Sequence, residues 1–168
     1  MLGLHLGVEE QGRGAMQSSK IKSIWLTPAT PETLNALSIR TMTQHIGIEF
    51  LEVGDDYLRA RMPVDERTVQ PAGILHGGAN ATLAETLGSV AGALCIDPRQ
   101  KMVVGLELNA NHVRATRSGF VTGVARPLHI GATTQIWDIR INNEQDQLVC
   151  ISRLTLAVLN RERANAGA

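Results

Sequence analysis

The spacing of apolar and polar positions changes several times along the chain, and each change marks an element. Thr30-Pro31-Glu32 combines a capping hydroxyl, a proline suited to the first helical position and an acidic first turn. It predicts a short helix over PETLNALS. Ile46–Val53 alternates and is rich in β-formers, Gly54-Asp55-Asp56 is turn chemistry, and Tyr57–Val64 alternates again, which together read as a hairpin. Asp65–Gly73 is a loop containing Pro71. One long helix is predicted from Gly77 to Ile96, because Leu83, Leu87, Val90 and Leu94 step by four, three and four. Asp97-Pro98 ends it. Four β-type runs follow: Met102–Ala115, Gly119–Ile130, Thr133–Asn142 and Leu148–Leu159. In the third, Trp137, Ile139 and Ile141 alternate with Ile136, Asp138 and Arg140. Short connections between such runs favour antiparallel pairing.

The predicted order is a short helix, a hairpin, a long helix and four antiparallel strands. That is an α+β arrangement in which a sheet of five to six strands wraps one long central helix. Ala81, Ala84, Gly88, Ala91 and Gly92 would let the helix approach the sheet closely. Exposed edge strands need cover, and pairing with a second copy is the simplest way to supply it. Residues 1–23 carry Gly, Ser and Gln without periodicity and read as a disordered extension, with Met16 as a possible internal start. Residues 161–168 read as a disordered tail, leaving 24–160 as the one domain.

Composition narrows the function classes. The chain has 168 residues, 43% hydrophobic and 19% charged, with sixteen basic residues against sixteen acidic ones. A balanced charge with scattered Lys and Arg, and aromatics limited to Trp25, Phe50, Tyr57, Phe120 and Trp137, argues against nucleic acid as a partner. No apolar run reaches the ~18 residues of a membrane span. Cys95 and Cys150 form neither a disulfide framework nor a metal pair. They read as buried thiols of a reducing compartment, so a cytoplasmic protein is expected. His76, His112 and His129 lack metal-ligand spacing, and no phosphate loop, dinucleotide fingerprint or zinc helix is present. No metal or cofactor is expected.

Two features carry chemistry. His76-Gly77-Gly78 opens the long helix, where uncovered backbone N–H groups and the helix dipole suit a developing anion; ordinary capping is the plainer alternative. Glu85 is the sole charge in residues 79–96, on a narrow polar stripe with Thr82, Ser89 and Gly92. A carboxylate in so apolar a helix must be paired, protonated or functional.

The stretches GILHGGANATLAETLGSVAGAL, VVGLELNANHVR and ARPLHIGATTQIWDI, in that order, resemble the hotdog-fold acyl-CoA thioesterases. Within them the match is to the 4-hydroxybenzoyl-CoA thioesterase branch with its glutamate on the central helix, most like its 1,4-dihydroxy-2-naphthoyl-CoA hydrolases. The proofreading thioesterase of enterobactin synthesis is also similar. The resemblance runs from about Ile24 to Leu159 and implies a hotdog fold. It implies Glu85 as nucleophile or general base and the Gly77 N–H as donor to the thioester oxygen. It assigns Gln70 to contact the thioester or orient the attack, His76 to stand beside the oxyanion site and Ser89 to position Glu85 or water. Gly105, His112, Val113, Arg114 and Ala115 would line the CoA and acyl cleft. His129, Ile130, Gly131, Ala132, Thr133 and Thr134 would contact the CoA arm, with Arg114 and Arg126 as candidates for its phosphates. The implied partners are an acyl-CoA substrate with an aromatic acyl group and further copies of the chain, as a dimer of dimers. A dehydratase on acyl thioesters would place a His and an acid near the helix start, and a non-catalytic acyl-CoA binder would have no need of Glu85.

Overall fold

The computed structural model describes residues 23–161. The expected N-terminal extension and tail lie outside the described residues, apart from Ser23 and Arg161. The elements are α1 (Pro31–Leu37), α2 (Met42–His45), β1 (Glu49–Val53), β2 (Leu58–Pro63), α3 (Gly77–Leu94), β3 (Lys101–His112), β4 (Phe120–Ile130), β5 (Thr134–Asn143) and β6 (Leu148–Asn160). α1 starts at Thr30, whose hydroxyl accepts from Thr33 N while the Thr33 hydroxyl accepts from Thr30 N, with Pro31 behind them. α2 is one turn that no apolar period announced. The antiparallel hotdog sheet has the order β1-β2-β4-β5-β6-β3.

α3 lies across this sheet and buries Leu83, Ala84, Leu87 and Ala91 completely. Gly88 admits the Leu154 side chain, which a Cβ would meet at 2.6 Å. Alternation along β5 sends Trp137, Ile139 and Ile141 inward to full burial. The buried Gln135 side chain donates to Gly92 O and accepts from Trp137 Nε1, so the helix–sheet contact leaves these polar groups paired. Trp25 stacks on Trp137 at 6.3 Å and closes that end.

The two sheet edges differ. Beside β1, the Asn35 side chain donates to Phe50 O (3.0 Å) and accepts from Phe50 N (2.8 Å), so α1 covers that edge. The other edge is β3, twelve residues long, bonded to β6 on one side only. A bulge between Gly105 and Glu107 interrupts its register and leaves Leu106 63% exposed.

Candidate active site

The loop from Asp65 to His76 sets the entry to α3. Thr68 is buried, its hydroxyl donating to Pro63 O, and its carbonyl accepts from His76 N (2.8 Å). Leu75 N donates to Thr116 O, which ties the loop to the segment after β3. Gln70 N donates to Ile74 O, so the turn presents Gln70 beside the helix start.

His76 caps α3: its Nδ1 accepts from Gly78 N at 2.8 Å. His76 thus stands next to Gly77 as the resemblance implies, and its ring holds the helix end and lines a cavity of about 370 Å³ with Met42, Ile46 and Thr82. Gly77 is the first helical residue, and the His112 ring lies over it: a Cβ there would stand 2.8 Å from His112 Nε2. Gln70, Gly77, His112, Val113, Arg114 and Ala115 share one cavity of about 330 Å³ with Ile74, Leu75 and Asn80. Six residues scattered over the sequence thus meet at the positive end of the helix.

Asn80 was not signalled by any motif. It is 3% exposed, its Nδ2 stands 3.5 Å from His112 Nδ1, and its Oδ1 has no partner. The available signal was an amide in the first turn of the helix.

Glu85 forms a second cluster. The Ser89 hydroxyl donates to Glu85 Oε1 at 2.9 Å, the i, i+4 contact the polar stripe predicts. That oxygen packs against β3 at Gly105, where a Cβ would stand 2.8 Å away. Gly92, expected on the same stripe, is buried against Gln135 and Leu156. Eight residues of helix separate Gly77 from Glu85, a rise of about 12 Å. The two clusters therefore sit at different levels of one helix.

The segment His129–Thr134 makes the β4–β5 connection. His129 curls against Gly131, Gly131 N donates to Thr134 O, and Lys101 Nζ reaches Ala132 O. Across the sheet, Ile130 neighbours Gln135, Gln135 neighbours Leu156, and Leu156 neighbours Gly105. The hairpin thus lies at the Glu85 level, away from His112. Arg126 pairs with Asp56 (2.6 Å) and lies over the Tyr57 ring (4.5 Å). Arg114 lines the Gln70–His112 cavity. Among the described residues no group of three or more His, Cys, Asp or Glu is placed to hold a metal, and no helix is long and apolar enough to cross a membrane.

Residues 72–150 match the thioesterase superfamily. The chain is 54% identical over 136 residues to the 1,4-dihydroxy-2-naphthoyl-CoA hydrolase of Escherichia coli K12, covering 81% of this chain and 99% of that one. It is 53% identical over 136 residues to the proofreading thioesterase EntH of Cronobacter turicensis, covering 81% and 98%. The crystal structure of a thioesterase variant from Pseudomonas aeruginosa superposes with a TM-score of 0.81 at 49% identity, over 82% of this chain and 99% of that one. An identity of about one half along nearly the whole of those relatives, on the same fold, leaves one conclusion: the chain belongs to the thioesterase superfamily and is a thioester hydrolase.

Proposed function

We propose that the protein hydrolyses the thioester of an aromatic acyl-CoA, at a site to which two copies of the chain contribute. One observation carries this reading. Glu85, the carboxylate suited to attack, stands about 12 Å of helix from the Gly77 N–H suited to hold the oxyanion. Reacting groups must come within roughly 3–3.5 Å, so one chain does not serve one carbonyl with both. The open β3 edge offers the remedy. Gly105, beside Glu85, and His112, over Gly77, both lie on β3. Antiparallel pairing of two β3 strands about a two-fold between Leu108 and Asn109 sets His112 of one copy opposite Gly105 of the other. Glu85 of the second copy then faces the cavity of Gln70, Gly77 and His112 in the first, as does its His129–Thr134 hairpin.

In this site the Gly77 N–H, at the positive end of α3, stabilises the charge that gathers on the thioester oxygen. Glu85, held by Ser89, either attacks the carbonyl to give an acyl anhydride and CoA thiolate, which water then opens, or removes a proton from the attacking water. Both routes end in free acid and CoA. Thiolate is a good leaving group, so no strong general acid is needed. An apolar groove of about 320 Å³ lies between Thr86 and Val90 of α3 and Leu34, Leu37 and Phe50, on a face of α3 that Glu85 does not line, and the aromatic acyl group is instead the choice that the family resemblance favours. The hydrolase relative from Escherichia coli is named for a bicyclic aromatic acyl-CoA, which agrees with that choice.

The test is CoA release from 1,4-dihydroxy-2-naphthoyl-, benzoyl- and hexanoyl-CoA by the wild type and Glu85→Gln. Faster turnover of the aryl substrates, with kcat lowered roughly 10²–10⁴-fold in Glu85→Gln, is expected. A loss below about tenfold removes Glu85 from the reaction. Preference for hexanoyl-CoA overturns the aromatic assignment. Activity confined to acyl groups on a carrier protein, the substrate type proper to a proofreading role, overturns CoA as the carrier.

A further inference from the structure

We infer that Asn80 is a positioning residue that fixes the protonation of His112, so that the ring presents an Nε2–H donor beside the Gly77 N–H. The inference rests on the proposed site, in which that cavity receives the thioester. Asn80 Nδ2 stands 3.5 Å from His112 Nδ1, and an amide nitrogen can only donate. A hydrogen bond from this amide nitrogen gives Nδ1 the acceptor role, which leaves the neutral ring with its proton on Nε2. Nε2 is the atom directed over the Gly77 α-carbon, at the spot where any larger residue would carry its Cβ. Two N–H groups, one from the backbone and one from the ring, then converge on one side of the cavity. Either the thioester oxygen or the departing sulfur can accept from them as negative charge develops.

The amide is not a surface accident. Asn80 is 3% exposed, yet its Oδ1 has no partner, an arrangement that folding alone disfavours. It lines the same cavity as His112 and Gly77, so the unfavourable polar burial coincides with the reacting end of the helix. His112 is exposed within the single chain, and Asn80 is the side chain that meets its Nδ1.

The experiment reads ring and reaction separately. Long-range 1H–15N spectra of the full chain report which nitrogen of His112 is protonated, with no substrate present. Wild type should show the Nε2–H form. Asn80→Asp places an acceptor at Nδ1, so the proton should move to Nδ1 and leave Nε2 bare. Its kcat on benzoyl-CoA should fall about tenfold, short of the ~10²–10³-fold cost of deleting an oxyanion donor, with KM within about threefold. In a His112→Ala background the same substitution should change kcat no further, since it acts through the ring. An Nδ1–H ring in the wild type overturns the inference. So does an Asn80→Asp effect that persists undiminished without the imidazole, as a packing defect would. Failure of the proposed site itself is read independently, as undiminished activity of Glu85→Gln while the His112 spectra stand unchanged.

Discussion

Gly77 and Glu85 show how much a single residue's surroundings decide. Gly77 is the first residue of α3, where a backbone N–H has no partner within the helix. His76 before it has φ −70° and ψ 134°, the extended conformation a following proline requires. Gly77→Pro should therefore delete the N–H while leaving the helix start intact, since proline is accepted at that position. Gly77→Ala crowds His112 in the same way but keeps the N–H. The expected outcome is a loss of ~10²–10³-fold in kcat for the proline variant beyond that of alanine. Equal losses would show that displacing His112, and not losing the donor, is what matters. The thiols behave in the opposite manner. Burial pushes Cys95 from 9.0 up to about 11 and raises Cys150, with Ser152 partly offsetting the latter. Native protein should resist thiol reagents at pH 7 and react fully in urea, so such reagents can follow released CoA. The folded Cys95 thiol holds its proton longer than the unfolded one, so stability should fall as pH rises from about 9 to about 11. At this scale Glu85 stands out because no other charge lies near it in the helix and Gly77 because it opens that helix, whereas Gln70 and His112 came from the family resemblance. Asn80 was not legible, because nothing in an Asn-Ala-Thr stretch tells which neighbour it meets. The capping role of His76 was also hidden, since the local pattern shows a helix start but not which side chain closes it.

At the scale of elements, α3 and the sheet explain each other. The stripe of Leu83, Leu87 and Leu94 is buried as its spacing predicts, and Val90 instead lines the groove under α1. Gly92 lies where helix and sheet come closest, with Leu156 and Gln135 filling the place of a side chain. Gly92→Val should cost about 1–3 kcal/mol in urea unfolding by overpacking this contact. A value within about 0.5 kcal/mol of wild type would mean that α3 has room to shift. The hairpin and the four later strands were legible from alternation and turn residues. The one-turn α2 was too short to have a period. The bulges at Gly105/Glu107 and Pro127/His129 add one residue to one strand only, which alternation within that strand does not register. The bulge on β3 lies where the Glu85 carboxylate meets the edge.

Among the described residues of the whole molecule one long edge is left open and the other is covered by Asn35. The reading of the fold from sequence anticipated that an edge needed a partner, but strand order is what identifies β3. That order also turns the 12 Å gap into an argument for assembly, since the groups too far apart in one copy would come together under the proposed pairing of β3 strands. Partner exchange tests this most directly. Glu85→Gln and Gly77→Pro each disable a different half of every site, so each homodimer should be nearly inactive on benzoyl-CoA. Unfolded together in equal amounts and refolded, half the dimers are mixed, and each holds one site with neither lesion. The account predicts recovery of about one quarter of wild-type activity in the mixture. A mixture that forms mixed dimers and stays as inactive as its components would contradict a site shared between two copies.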